Sequence, residues 1–123
     1  MLVPGFYTII SFISSDDKIE AVISLNHSHE IYKGHFPDRP VTPGVMQLQI
    51  VKELVEKATG REFLLSGISS AKYLNMMLPD ACDTISIAVD MMARPAENQV
   101  RINAVMFGNE VVFFKLKATL TEK

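Results

Sequence analysis

A histidine, a glutamine and a glutamate are the residues of this 123-residue chain whose type and spacing bear most directly on chemistry. His35 heads the stretch Gly34-His35-Phe36-Pro37-Asp38-Arg39-Pro40-Val41-Thr42-Pro43-Gly44, where the prolines impose a stiff, extended and turning path. An imidazole titrates near neutrality and suits proton transfer, although His35 taken alone is more simply a structural histidine buttressed by prolines. Gln49 and Glu53 lie four residues apart and share one face of any helix formed there. With Lys52 and Glu56 they form a polar stripe whose plain alternative is a solvated helix face. His27, His29 and His35 invite a metal site, but no fourth ligand follows at a recognisable spacing, so no metal is expected. His27 and His29 are then surface-loop histidines. Cys82 is the single cysteine, which excludes an internal disulfide; nothing beside it suggests an activated thiol.

A long helix must position these residues. Thr42 is placed to cap it, Pro43 to take its first position and Gly60 to end it. The helix would be roughly 25 Å long at ~1.5 Å per residue. Its apolar residues Val45, Met46, Leu48, Ile50, Val51, Leu54, Val55 and Ala58 cover most of the circumference, which predicts a mostly buried helix. Elsewhere the apolar pattern has a period near two. Strands are expected over 6–14, 18–25, 63–73, 84–92 and about 100–106, and a last one carries Val112, Phe114, Leu116, Ala118 and Leu120 on one face. Asp16-Asp17 and Gly108-Asn109 signal hairpin turns, and residues 94–98 a further turn. Residues 26–32 read as a loop. About six strands in succession with short turns imply an antiparallel sheet, and a sheet curled around one helix covers both apolar surfaces.

Composition sets the outer bounds. Nearly half the residues are hydrophobic, enough for a sizeable core in a single domain over 1–123. A formal charge of −2 favours neither nucleic acid nor an anionic membrane as a partner. No apolar run approaches the ~20 residues of a membrane helix, and the first residues lack the features of a signal peptide. A cytoplasmic protein is the expectation.

The run from Gly34 to Val45 resembles the Gly-His-Phe-Pro-x-x-Pro-x-x-Pro-Gly signature of the 3-hydroxyacyl-acyl carrier protein dehydratases of fatty-acid synthesis, with every fixed position present. Leu65-Ser-Gly-Ile-Ser-Ser-Ala-Lys-Tyr73 and the final hairpin extend the likeness more weakly. The resemblance implies an α+β hot-dog fold, in which an antiparallel sheet of about six strands wraps one long central helix. It also implies assembly as a homodimer, or as a hetero-oligomer with a homologue. Two departures lie outside the motif: the family's N-terminal helix is short or absent, and Leu78-Pro-Asp-Ala-Cys-Asp83 replaces the usual Pro-Gly-Asp.

By this resemblance His35 is the base that removes the α-proton of a 3-hydroxyacyl thioester, and the Val41 carbonyl orients its ring. The Gly44 N–H, at the positive end of the helix, would hold the thioester carbonyl, with Val45 and Phe36 beside it as substrate-binding residues. The family's acid lies fourteen residues after the histidine, where this chain has Gln49. An amide can hydrogen-bond a hydroxyl but is no ordinary proton donor near neutrality. Many relatives carry Gln one helical turn later, where this chain has Glu53, so the two groups are exchanged and Glu53 is expected to take the carboxylate's part, through Gln49 or a water. Phe36, Met46, Met76, Met77, Phe113 and Phe114 are candidates for an acyl channel, core packing being their plainer role. Lys33, Arg39, Arg61 and Lys72 are candidates for docking an acidic acyl carrier protein. The expected substrate is an acyl carrier protein or coenzyme A thioester, with no cofactor. Two alternatives stand beside the dehydratase: a non-catalytic acyl-thioester-binding subunit paired with an active homologue, and a hot-dog thioesterase.

Overall fold

In a computed structural model, residues 5–26, 28–32, 41–80, 82–93 and 98–123 are described. Strands β1 (Tyr7–Ser14) and β2 (Lys18–Leu25) come first and a 3-10 turn (Glu30–Tyr32) follows. The helix α1 spans Gly44–Thr59, and then come β3 (Phe63–Tyr73), β4 (Thr84–Ala93), β5 (Gln99–Gly108) and β6 (Val111–Glu122). The six strands make one antiparallel sheet in the order β1-β2-β4-β5-β6-β3. The connection from β2 to β3 therefore crosses from one side of the sheet to the far edge, and it carries α1 on the way. Placing the helix there covers the apolar face that the sheet would otherwise expose.

Alternation along the strands decides which face that is. Ile19, Ala21, Ile23 and Leu25 of β2 are buried, as are Ile85, Ile87 and Val89 of β4 and Val100, Ile102, Ala104 and Met106 of β5. They form one core cluster with Met46, Ile50, Val51, Leu54 and Val55 of α1. Burial of the helix is narrower than its composition predicts, for Val45 is 70% exposed. Glycine ends the helix as expected: Gly60 adopts the left-handed conformation (φ 71°) and its N–H bonds the Glu56 carbonyl.

Three local expectations are corrected. Pro43 is the N-cap in an extended conformation, no side chain caps the helix, and the first helical residue is Gly44. The Thr42 hydroxyl is instead engaged with the Tyr32 hydroxyl at 3.0 Å, in the core. At the last hairpin the turn residues are Asn109 and Glu110, with φ of 50° and 63°, while Gly108 ends β5. Gly108 is required by packing, because a Cβ there would lie 2.9 Å from the Thr84 carbonyl. A register shift between Met106 and Phe107 then buries Phe113 beside Phe114 and leaves Val112 half-buried.

The polar stripe of α1 is not a solvated face. Lys52 donates to the Phe63 carbonyl at 3.2 Å, and Glu56 accepts the Phe63 N–H at 2.8 Å, tying the helix to the start of β3. Tyr7 of β1 donates to Glu53 at 2.7 Å. Both edge strands are thus bonded to one stretch of the helix, which holds the sheet curled around it.

Candidate active site

The chain approaches α1 through Val41, Thr42 and Pro43, and this segment is fixed by hydrogen bonds from three directions. Thr42 N–H donates to the Met77 carbonyl at 2.8 Å, the Tyr32 hydroxyl meets the Thr42 hydroxyl, and Gln47 Nε2 donates to the Thr42 carbonyl at 3.3 Å. Burial pushes the Tyr32 phenol above its usual range, partly offset by the Thr42 bond, so it remains a hydroxyl. The Met46 and Gln47 N–H groups bond the Pro43 carbonyl at 3.0 and 3.2 Å, whereas those of Gly44 and Val45 have no acceptor within the helix and lie at the positive end of its dipole. A cavity of about 260 Å³ opens beside this helix start, lined by Val41, Thr42, Gln47, Tyr73, Met76 and Met77 among others. Its aromatic and thioether walls suit an acyl chain, and the helix start beside it suits a polarised carbonyl oxygen.

Tyr73 shapes the mouth of that cavity. Its hydroxyl donates to the Gly44 carbonyl at 2.9 Å, and its ring stacks on Phe114 with centroids 4.5 Å apart. A Cβ at position 44 would stand 2.8 Å from the Tyr73 ring, so glycine is needed at that position for close approach. Gln47 lies deeper and is only 3% exposed; its Oε1 receives no hydrogen bond.

Gln49 and Glu53 are brought together as their spacing predicts, Gln49 Nε2 donating to Glu53 Oε2 at 2.8 Å. Glu53 Oε1 accepts from Tyr7, a partner 46 residues away along the chain that no spacing could have suggested. Burial, then the bond to Glu53 and its negative charge, hold the Tyr7 phenol far above its usual range, so it stays a donor.

The remaining sequence candidates disperse. His35 and Phe36 lie outside the described residues, as do His27, Lys33 and Arg39. His29 serves the fold: its Nδ1 accepts the Ile31 N–H at 3.1 Å and its ring meets Phe6 edge-on. Met46, Met77, Phe113 and Phe114 belong to the core, whereas Met76 is 56% exposed. Arg61 is paired with Glu122 at 3.1 Å. Lys72 sits opposite Lys115 on the outer face of the sheet, away from the helix start. Cys82 donates to the Thr84 carbonyl at 3.4 Å and packs against Gly108. Among the described residues no helix is long and apolar enough to cross a membrane.

Comparison with known proteins turns on a profile of the ApeI-like family, described as ApeI dehydratase, which matches residues 12–109. The chain belongs to the ApeI-like dehydratase family. It is 26% identical to the 3-hydroxyacyl-[acyl-carrier-protein] dehydratase FabZ of Pediococcus pentosaceus, over 90% of this chain and 81% of that protein. To the FabZ of Clostridium acetobutylicum it is 24% identical, over 59% of this chain and 57% of that protein. The second match therefore spans little more than half of that relative's length. Among solved structures, the dehydratase heterocomplex ApeI:P from Xenorhabdus doucetiae superposes with a TM-score of 0.69 at 16% identity, over 93% of this chain and 96% of that one. A hypothetical thioesterase with coenzyme A from Streptococcus pneumoniae TIGR4 gives 0.67 at 13% identity, over 95% and 85%. The fold is thus the α+β hot-dog fold that the Gly34–Val45 signature implied, shared by dehydratases and thioesterases.

Proposed function

We propose that this protein eliminates water from a 3-hydroxyacyl thioester, carried on acyl carrier protein or coenzyme A, to give a trans-2-enoyl thioester in the synthesis of fatty acids or related acyl chains. The observation that carries the reading is the start of α1: a braced Val41–Gly44 segment delivers helix-terminal N–H groups to the side of an apolar cavity. In this reading the Gly44 N–H binds the thioester carbonyl, with Val41, Val45 and Phe36 around the substrate. His35 removes the α-proton made acidic by that contact. Gln49, held by Glu53, meets the 3-hydroxyl. The whole chain acts as one domain, in the cytoplasm, without cofactor.

Assembly follows from the edge of the sheet. Strand β3 is a sheet edge, with Leu64 56% and Ile68 48% exposed. An exposed apolar edge strand is a template for pairing with another chain. Joining there to a second copy, or to a homologue, extends the sheet and brings the α1 helices of two chains to one another's sites. The ApeI:P heterocomplex among the fold neighbours supports the heteromeric form, and Gln49 in place of an acid gives it a chemical motive. In that form this chain binds the acyl thioester and the homologue contributes the carboxyl group. The thioesterase neighbour shares the fold alone, and the complete dehydratase signature favours elimination over hydrolysis.

The experiment is turnover of the purified protein with 3-hydroxyacyl thioesters of several chain lengths, beside His35→Ala. Enoyl product that His35→Ala abolishes is the expected result. Product only after mixing with a second hot-dog chain would establish the heteromeric form, and no product in either case would contradict the proposal.

A further inference from the structure

We propose that the outer face of the sheet, opposite α1, carries an anion site in which Lys72, Lys115 and Lys117 hold the phosphate group of a small phosphorylated ligand. The proposal stands apart from the dehydratase reading and does not depend on it.

Strand pairing brings the three lysines together. Lys72 of β3 lies directly opposite Lys115 of β6, and Lys117 follows two residues later on the same side of β6, opposite Ser70. With strands ~4.8 Å apart and ~3.4 Å per residue, the three backbone positions fall within about 9 Å of one another. The face is the one away from the helix, because Leu116 and Ala118, which alternate with these lysines, belong to the core. All three residues are exposed, and among the described residues none of their side chains has an ion-pair or hydrogen-bond partner. Like charges directly opposite on neighbouring strands cost stability, so folding alone disfavours the Lys72–Lys115 pair. Protection of a sheet edge does not account for Lys115 and Lys117, because β6 lies between β5 and β3. Nor does a basic composition, the formal charge of the chain being −2.

The lysines flank a hollow. A cavity of about 270 Å³ lies beside them, lined also by Ser70, Ala88, Asp90 and Asn103. The short side chains of Ser70 and Ala88 leave the depression that the longer lysines border. Asn103 of β5 lies opposite Lys117 and offers an amide, and Ser70 a hydroxyl, as further donors. Asp90 of β4 is the acid in this lining; it lies opposite Asn103, two strands away from Lys117, and repels an anion back toward β6 and β3. Three ammonium groups match phosphate better than carboxylate. A phosphate monoester has three terminal oxygens and up to two negative charges, one oxygen for each lysine, whereas a carboxylate has two oxygens and one charge. An occupied site also relieves the Lys72–Lys115 repulsion, so binding stabilises the folded chain.

The test is titration of the full chain with sodium phosphate, and separately with sodium chloride at matched ionic strength, followed by amide-resolved NMR. Saturable shifts at the amides of Lys72, Asn103, Lys115 and Lys117 with phosphate, and not with chloride, are expected. Lys115→Gln and Lys117→Gln change exposed side chains and leave the core intact; each should weaken phosphate binding by about 2- to 5-fold, the loss of one exposed charge contact. Phosphate should also raise the melting temperature of the native chain more than that of the double variant. Coenzyme A and pantetheine, which has no phosphate, separate the sources. Coenzyme A that binds at these amides more tightly than phosphate, with pantetheine leaving them unmoved, assigns the phosphate to a thiol carrier; coenzyme A that binds no more tightly assigns it to a free phosphorylated ligand, and either result upholds the site. Shifts that chloride reproduces, phosphate binding unchanged in the double variant, or no saturable shift at these amides would overturn the inference, whatever the chain does with a 3-hydroxyacyl thioester.

Discussion

Gly44→Ala tests the packing at the helix start, and its sign depends on a single neighbour. The new Cβ would stand 2.8 Å from both Cζ and the hydroxyl oxygen of Tyr73, well inside ordinary contact. Tyr73 is 49% exposed and can swing outward, but doing so costs its bond to the Gly44 carbonyl and its stacking on Phe114. The hydrogen bond contributes about 0.5–1.5 kcal/mol and the aromatic pair a similar amount. Replacing glycine by alanine in a helix returns at most about 1 kcal/mol. With the full helix-propensity gain returned, the net expectation is a loss of about 1 kcal/mol and at most about 2, read from urea unfolding followed by circular dichroism. In a Tyr73→Ala background the obstruction is gone, and the same Gly44→Ala change should be neutral or stabilising. Equal destabilisation in both backgrounds would refute the argument that Tyr73 is what requires glycine there.

Three further outcomes follow from single contacts. Gln47→Met removes the buried Oε1 that receives no hydrogen bond, a gain of about 1 kcal/mol, but also the Nε2 bond to the Thr42 carbonyl, a loss of about as much, so stability should change by less than about 1 kcal/mol; a loss of several kcal/mol in urea unfolding would contradict it. Glu110→Gly relieves a non-glycine residue at φ 63° in the second position of a two-residue hairpin turn, and thermal unfolding should show a gain of about 0.5–1 kcal/mol. The Tyr7, Tyr32 and Tyr73 phenols are all raised above their unfolded value, chiefly by burial. A raised phenol pKa means that the unfolded chain ionises first, so this stabilisation is complete below about pH 10 and is lost as pH climbs toward the folded values. Urea melts at successive alkaline pH should therefore weaken from about pH 10 upward, and less steeply in Tyr7→Phe.

What the sequence discloses here divides by range. Ile19, Ala21, Ile23 and Leu25, and likewise Ile85, Ile87 and Val89, alternate because a strand puts every second side chain on one face, so they could be assigned to the core directly. Gly60 likewise announced the end of α1 through its freedom at positive φ. Gln49 and Glu53 were legible as a pair because four residues make about one helical turn. The helix start was misread because Thr42 and Pro43 fit the usual capping preferences, while the buried hydroxyl of Tyr32 offered Thr42 a different partner. Gly108 carried a turn signal yet serves close packing beside Thr84, a contact that appears only once β4 and β5 are paired. Tyr7 at Glu53 and Tyr73 at Gly44 join residues far apart along the chain, and no periodicity records such contacts. The signature around His35 spoke for the chemistry from residue identity alone, which is why it pointed to the family before any element was placed.

The measurement that tests the central claim most directly is the mass of the product formed from a 3-hydroxyacyl thioester, resolved with the carrier still attached. Elimination predicts an acyl chain lighter by one water and still joined to its thiol. An intact 3-hydroxy acid released together with free thiol would show hydrolysis instead, and would move this hot-dog protein to its thioesterase neighbours.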